Sequence, residues 1–466
     1  MPDRAARLCL AAISTALLVA CAAVPRAQKP DPAATAQSYQ ARRLDQALPD
    51  APAAAGWNRA QWLEAALRLN PALSEARARA AAVAAAERTA SQRPNPTLNL
   101  AAEYVAAAAG DVGWLYGLAL DFLLQRPGER ARARSAAALE TQAAQSDLAE
   151  SIWQARSELR QALLDAVYAQ DQSALLDRLL QDRQGLLRSA QARSQAGEIS
   201  PLEVARASID LAGAQQRRDQ VRTHLLDAQV RLAAAVGVPA AALEGVPLQW
   251  PSWSDVAALK ADVSEDARVE ALIARPDLVR TLREYDLADN ALRTEVARRW
   301  PAIHIEPGYA WDRGGVHETQ FDEVLHENQL AVGLELPLFN RNEGPIGEAV
   351  ARRTLAGKHL EAVQAELFAQ IDRAQLGWPR ARDAWQNAVA VVATAQRQSD
   401  AEQRALEVGA SDRPSTLSAD AATIEARLLS LDAAFEAQVA FAALESAYRR
   451  PLDGPECELP LRWRLE

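Results

Sequence analysis

Four segments of the chain alternate apolar and polar positions with a period of two. In the first, Leu98, Leu100, Ala102 and Tyr104 share one face, and Thr97, Asn99, Ala101 and Glu103 share the other. The second sets Trp114, Tyr116, Leu118, Leu120 and Phe122 against Gly117, Ala119 and Asp121. The third sets Ile303, Ile305, Tyr309 and Trp311 against His304, Glu306 and Gly308. The fourth sets Leu330, Val332, Leu334, Leu336 and Leu338 against Gln329, Ala331, Gly333 and Glu335. Alternation over about ten residues, with aromatic residues near the ends, predicts strands that meet lipid on one face and water on the other. Four strands cannot close a membrane barrel, whose smallest forms have about eight. An open sheet edge is not tolerated in lipid. The pattern therefore predicts a barrel shared between several copies of the chain.

The rest reads as helix. Asn58, with Gln61 three residues on, is an N-cap with a capping box, and the helix it opens is predicted to run to about Gln92. Pro127-Gly128 opens a helix that meets no proline before Gly197. At 1.5 Å per residue, about 70 residues span roughly 100 Å. Gly197-Glu198-Ile199 breaks that helix, and Ser200-Pro201-Leu202-Glu203 restarts the chain as N-cap, N1 proline and capping-box glutamate. The pattern predicts a tight helix-turn-helix tip, repeated at Gly409 with a restart near Asp412 to Pro414. The descending helices carry seams at coiled-coil spacing: Val221, Leu225, Ala228, Leu232 and Ala235, then Ile424, Leu428, Leu431 and Phe435. These stripes are read as core packing, not as a cofactor site.

Landmarks recur in order. Asn70-Pro71-Ala72-Leu73 and Arg275-Pro276-Asp277-Leu278 lie 205 residues apart, as do Pro96 and Pro301. Gly117 and Gly333, and Gly128 and Gly344, lie 216 apart, whereas Gly197 and Gly409 lie 212 apart. An ordered series with one insertion between the paired strands of the second half is the signature of a duplication. The resulting plan is a first repeat over 57–237, a linker over 238–273 that contains Trp250-Pro251-Ser252-Trp253, a second repeat over 274–450 and a tail over 451–466.

The N-terminus sets the compartment. Arg4 and Arg7 precede an apolar run, Leu8 to Leu18, too short for a permanent transmembrane helix. It ends in Leu18-Val19-Ala20-Cys21, which resembles a bacterial lipobox, so residues 1–20 are read as a lipoprotein signal peptide and Cys21 as the lipidation site. By the same resemblance, the non-acidic Ala22 favours the outer membrane. The Ala-, Pro- and Gln-rich stretch 21–56 reads as a lipid-anchored tether. Cys9 leaves with the signal, and Cys457 is then alone, so no disulfide framework is expected.

Charge and chemistry narrow the function. The net charge of −10, without a basic run, argues against nucleic acid as a partner. No apolar run after the signal is long enough for a transmembrane helix. His317-Glu318 leads on to Phe321 rather than to a second histidine, and no phosphate loop, nucleophile elbow or CxxC is present. With five histidines and one methionine a soft-metal site is hard to build. No enzyme, cofactor or resident metal site is expected. The loop Asp312 to Glu327, with His317, Glu318, Asp322, Glu323, His326 and Glu327, offers metal-ligand types but reads first as a solvated extracellular loop. The polar strand face offers Asn99, Glu103, Asp121, His304, Glu306 and Glu335 to a lumen. Its excess of negative charge favours cations.

Taken together, these residues resemble the TolC-like outer-membrane efflux family, from about Asn58 to Arg450. The specific parts are Pro94-Asn95-Pro96, the two glycine tips, and the run Pro337-Leu338-Phe339-Asn340-Arg341-Asn342-Glu343-Gly344. That run is similar to the lipidated heavy-metal branch (CusC- and CzcC-like proteins). The resemblance implies a mainly α fold with a membrane β-barrel portion. In it, long helical hairpins of a homotrimer form a periplasmic tunnel, and four strands per chain enter a shared twelve-stranded barrel. It implies a passive exit duct set in outer-membrane lipid; the branch-specific run and the charge of the polar face point to heavy-metal cations, with drugs or other small molecules left open. A periplasmic adaptor contacting Gly197, Glu198, Ile199, Ser200, Gly409, Ser411 and Asp412 would couple it to an inner-membrane RND-type pump. Asp420 falls near where relatives place an aspartate at the tunnel mouth. Two departures stand out. Gly377-Trp378-Pro379 should kink or break a long helix, and the second tip, Ser411 to Ser415, reads longer than the first. The competing class is a lipid-anchored periplasmic coiled-coil scaffold or adaptor without its own pore.

Overall fold

The computed structural model describes residues 29–51, 56–106, 112–260, 264–313 and 326–458. Cys21 and the loop residues His317, Glu318, Asp322 and Glu323 lie outside them. The chain divides into two compact units, one ending at Arg43 and one starting at Leu44. In the first, helix α1 (Pro32–Gln40) is capped by Asp31, whose carboxylate accepts the Ala33 N–H at 3.0 Å. The stretch read as a tether thus holds a helix, and Leu44 and Ala47 from its later part are buried in the core of the second unit.

The second unit runs α2 (Arg59–Leu69), α3 (Pro71–Ala90), β1 (Thr97–Ala106), β2 (Val112–Leu124), α4 (Glu129–Gln195) and α5 (Pro201–Val236). It continues with α6 (Glu265–Ala274), α7 (Pro276–Ala297), β3 (Ile303–Arg313), β4 (His326–Leu334), α8 (Glu343–Glu407) and α9 (Arg413–Tyr448). The same order of elements occurs twice, as the offsets predict.

Several expectations need correction. The helix opened by Asn58 does form its capping box, but it stops at Leu69. Asn70 is extended and ends α2. Its side chain then accepts the Ala72 and Leu73 N–H groups to start α3, with Pro71 in the first turn where a missing N–H costs nothing. The Asn70 amide also donates to the Ala235 carbonyl at 2.8 Å, which ties this joint to the end of α5. Gly237 sits there with φ +93°, and a Cβ on it would stand 2.6 Å from the Leu69 carbonyl oxygen. Helix α8 runs through Pro379 without ending. Trp378 is buried and meets the Phe441 ring edge-on at 5.0 Å, so packing on α9 holds the turn that the proline weakens. The tips are equal in length: 196–200 separate α4 from α5, and 408–412 separate α8 from α9. Strand β4 ends at Leu334, which leaves Glu335, Leu336 and Leu338 beyond it. The residue that matches Gly128 as the left-handed cap of a long helix is Asn342, with φ +61°, not Gly344.

The strands form one antiparallel sheet in the order β1-β2-β3-β4. The register confirms the two faces. Leu100 pairs with Leu118 and Leu118 with Tyr309, while Ala101 pairs with Gly117 and Gly117 with Ala310. On β3 and β4, Ile305 pairs with Val332 and Glu306 with Ala331. Among the described residues neither β1 nor β4 has a strand on its outer edge.

The helices pack in a matching sequence. Helix α4 packs on α5, α3, α7 and α9, and α8 packs on α9 and α7. Helices α7 and α9 therefore lie between α4 and α8, whereas α3 and α5 each have a long partner only in α4. The seam residues Ala228, Leu232 and Leu428 are buried as predicted. The core gathers where the segments before α3 and after α5 wrap the long helices, around Trp57, Trp62, Leu163, Leu232 and Phe441.

A charged cluster is buried in that core. Arg156 and Glu445 are 2% and 1% exposed and meet at 3.1 Å. Arg160 is 3.2 Å from Glu445 as well, and Glu456 is 2.6 Å from Arg156 and 3.7 Å from Arg59. The Arg59 and Arg160 guanidinium groups lie over the Trp250 ring at 4.6 and 5.3 Å. Burial pulls Arg160 down to about 10 against the pull of Glu445. Burial would lower Arg156 too, but Glu445 and Glu456 outweigh it and raise the value. The cluster joins α2, α4, the linker, α9 and the tail. Removing one partner of a buried pair leaves an uncompensated charge and costs about 3–5 kcal/mol. Glu445→Gln, which takes the carboxylate from Arg160 and leaves Arg156 with Glu456 alone, is expected to lower stability by about that amount, read as a reduced urea midpoint of the detergent-purified protein.

Candidate functional site

The polar face of the sheet brings together most of the residues assigned to a lumen. The Asn99 amide donates to Glu306 Oε1 at 2.8 Å across the sheet. His304 Nδ1 lies 3.0 and 3.1 Å from the two Asp121 oxygens. Glu103 stands on the same face near the loop end, opposite Leu115. Glu335 follows β4, and its N–H donates to the Ala302 carbonyl at 3.3 Å, so it belongs to the junction rather than to the strand wall. Glu327 was missed as a wall residue. Strand β4 begins at His326, and Glu327 pairs with Ala310 on the polar face. Extending the alternation back from Gln329 would have found it. Leu123, opposite His304, is an apolar exception on this face. The other face presents Leu100, Leu330 and Val332, all strongly exposed. No helix among the described residues is long and apolar enough to cross a membrane.

At the far end of the long helices, the two tips lie side by side. Gly197 and Gly409 adopt φ of +78° and +73°, a left-handed turn that glycine makes without strain. Glu198 pairs with Arg193 at 3.2 Å. Ser200 occupies the N-cap of α5, but its side chain makes no capping hydrogen bond, so the predicted capping box is absent. At the second tip, Asp412 caps α9 by accepting the Ser415 N–H at 2.9 Å, and its hydrogen bonds with Ser415 hold its carboxyl below the usual range. The Ser411 hydroxyl donates to Glu402 at 2.6 Å. A groove of about 290 Å³ runs between the tips, lined by Ile199, Glu203, Arg206, Asp210 and Pro414 among others.

Asp420 lies on α9 a few turns from the tip. It accepts the Ser399 hydroxyl at 2.5 Å and the Gln403 amide at 3.3 Å. A recess of about 300 Å³ joins it to Asp182, Arg178 and Arg427. Burial and the Asp420 charge push the Asp182 carboxyl above its usual value. Among the described residues no group of three or more His, Cys, Asp or Glu side chains could hold a metal ion. Cys457 is exposed and free. The recess has a consequence for pH. A raised folded-state value means that charging Asp182 is harder in the fold than in the unfolded chain. The Asp182 contribution to stability is therefore greatest at acid pH and is lost as pH rises from about 4, the unfolded value, through the raised one. Asp420→Asn removes the facing charge but keeps an acceptor for Ser399. Urea midpoints across that window should fall less with rising pH in the variant than in the wild type.

Three comparisons place these features. The sequence profile described as outer membrane efflux protein matches residues 62–238 and 267–448. A search of curated proteins finds no match. Among solved structures, a membrane protein from Pseudomonas aeruginosa matches with a TM-score of 0.67 at 18% identity, covering 84% of this chain and 92% of that one. CusC matches with a TM-score of 0.66 at 18% identity, covering 84% and 91%. The outer membrane protein VceC from Vibrio cholerae matches with a TM-score of 0.66 at 17% identity, covering 86% and 100%. At these identities the likeness carries the fold.

Proposed function

The chain belongs to the outer membrane efflux protein family, an outer-membrane channel rather than an enzyme, and from that premise we propose that three copies form a passive exit duct for cations. The observation that carries this reading is the four-stranded sheet with a lipid-compatible face and two open edges. Three such sheets, joined β4 to β1, close twelve strands and leave no edge in lipid. The helices ask for the same closure. Helices α3 and α5 lack the second long neighbour that α7 and α9 have, and α8 of an adjacent copy would supply it. The repeats at 57–237 and 274–450 then alternate around one tunnel, with 238–273 as the belt between them.

On this reading Cys21 carries an acyl anchor, and energy comes from an inner-membrane pump of the RND type. A periplasmic adaptor meets the tips at Gly197, Glu198, Ile199, Ser200, Gly409, Ser411 and Asp412. The groove at Ile199 and Pro414 supports that docking, because it is the recess the two tips share. Asp420 lines the aperture. The substrate class is heavy-metal cations. The run Pro337 to Gly344 and the carboxylates Glu103, Asp121, Glu306 and Glu327 support it. A pore-less scaffold or adaptor is not compatible with membership of this family. The detergent-purified protein should migrate as a trimer and conduct in planar bilayers with cation preference. Glu306→Lys should shift the reversal potential under a KCl gradient toward that of an anion-preferring pore. A monomer without conductance overturns the duct, and an unchanged reversal potential overturns the role of the wall charges.

A further inference from the structure

The two ends of the sheet differ in charge. The flanks on the helical side, 88–96, 125–134, 293–302 and 335–343, hold ten arginines against four glutamates. The strand-connecting stretches 103–114 and 312–327 hold seven acidic residues against one arginine. The register fixes what the helical side brings together, since Thr97 pairs with Asp121, and Ile303 pairs with both Leu124 and Leu334.

Part of this basic end is structural mortar. Arg130 Nε donates to the Ser91 carbonyl at 2.9 Å and so ties the start of α4 to the end of α3. Arg126 Nε donates to the Trp300 carbonyl at 2.8 Å. Asn342 donates to the Glu295 carbonyl and carboxylate at 2.7 and 2.8 Å, and ties α8 to α7 in the same way. Glu129 is held by the Arg126 N–H and Glu295 also by Arg298, so two of the four glutamates are internally committed. Arg93, Arg299 and Arg341 are different. Each is exposed, each sits at a different strand–helix junction, and none has a side-chain partner among the described residues. Beside them Trp300 and Phe339 are 68% and 102% exposed, and Leu338 is 70% exposed.

Exposed aromatic residues at the end of a lipid-facing sheet belong at the headgroup level. Guanidinium groups at that level meet phosphate oxygens, which they bind in a planar, two-pronged geometry. We propose that Arg93, Arg299 and Arg341, with Trp300 and Phe339, form a basic collar that takes anionic phospholipid headgroups from the leaflet on the helical side. The proposal rests on the duct reading, because that reading puts the sheet in a membrane with its helices on one side. The collar fixes the height of the barrel by charge at this end, and the acidic end is repelled from the same lipid surface. A lipid anchor holds the chain near the bilayer, whereas the collar sets how deep the strands sit.

The test uses the full chain as a detergent-purified trimer placed in nanodiscs of phosphatidylcholine with a minor share of phosphatidylglycerol. Native mass spectrometry reads the phosphatidylglycerol retained on the trimer. The wild type is expected to enrich it over phosphatidylcholine. Arg93→Gln/Arg299→Gln/Arg341→Gln is expected to lower that retention about fivefold, and Arg188→Gln/Arg217→Gln/Arg380→Gln, on exposed positions of the long helices, to keep it. Retention by the wild type should also weaken as salt rises, a measurement that stands if the triple variant does not assemble. Equal retention by the wild type and a trimeric collar variant overturns the collar, as does a salt-insensitive wild type. A collar variant whose trimer loosens with lipid retention unchanged also overturns it, and assigns the surface to a neighbouring copy. Conductance in planar bilayers reports on the duct separately, so a conducting trimer without lipid preference loses the collar alone.

Discussion

The outer edges of β1 and β4 carry backbone N–H and C=O groups with no strand beside them. In hydrocarbon each such group costs several kcal/mol, roughly the net stability of a small domain for every few residues left unpaired. Nothing within one chain can meet that demand, since both strand pairs already lie inside the sheet. In the proposed duct the demand is met by edge joining edge between copies, and the helices that follow each strand then stand in a ring. The exposed apolar face of the sheet has the same origin. Leu100, Leu330 and Val332 would be a liability in water and are at home in lipid.

What holds the long helices together inside one chain is a polar device. The cluster of Arg59, Arg156 and Arg160 with Glu445 and Glu456 joins the first repeat to the last helix and the tail. Gln438 extends it by accepting from Arg160 at 2.8 Å and donating to the Trp253 carbonyl at 2.5 Å, which ties the linker in. Thin, alanine-rich helices bury little area per residue, so apolar packing alone is weakly directional along their length. A buried ion cluster has one arrangement that satisfies every charge, and it selects a register for α4 against α9 where a run of alanines would permit several.

Much of this was legible in the sequence because period two and the ordered landmarks depend on local pattern. The four strands, their faces, the two tips and the duplication all come from spacing. Errors fell where tertiary contacts decide. Asn70 and Pro71 form a break that reads as one helix until the Ala235 carbonyl is seen to hold the amide. Pro379 carries a true local cost, and the burial of Trp378 against Phe441 overrides it. Ser200 has the residue type of a cap but makes no capping bond, while Asp412 does. The ion cluster could not be read at all, because its members lie as much as 397 residues apart, from Arg59 to Glu456, in a chain rich in both charges. Of the candidate site, the polar face of the strands is legible through alternation, which includes Glu327 when it is extended back from Gln329.

The wall gains a direction from the pairing. Toward the helical end, Asp121 faces His304 and Glu306 accepts from Asn99, so these carboxylates are engaged within the sheet. Toward the loop end, Glu103 and Glu327 have no partner among the described residues. In the proposed trimer, threefold repetition would multiply both patterns, and a narrow lumen with low-dielectric walls would focus the field of the unengaged charges. In that assembly the potential would become more negative toward the loop end of the lumen. A passive duct cannot drive flow by its fixed charges, because any ion that gains energy on reaching the mouth must return it on leaving. In the proposed duct the charges set which ions occupy the mouth, and their sign favours cations. In the proposed duct, weak and distributed charge suits the role, since tight retention in the wall would work against the partner that pushes the substrate through.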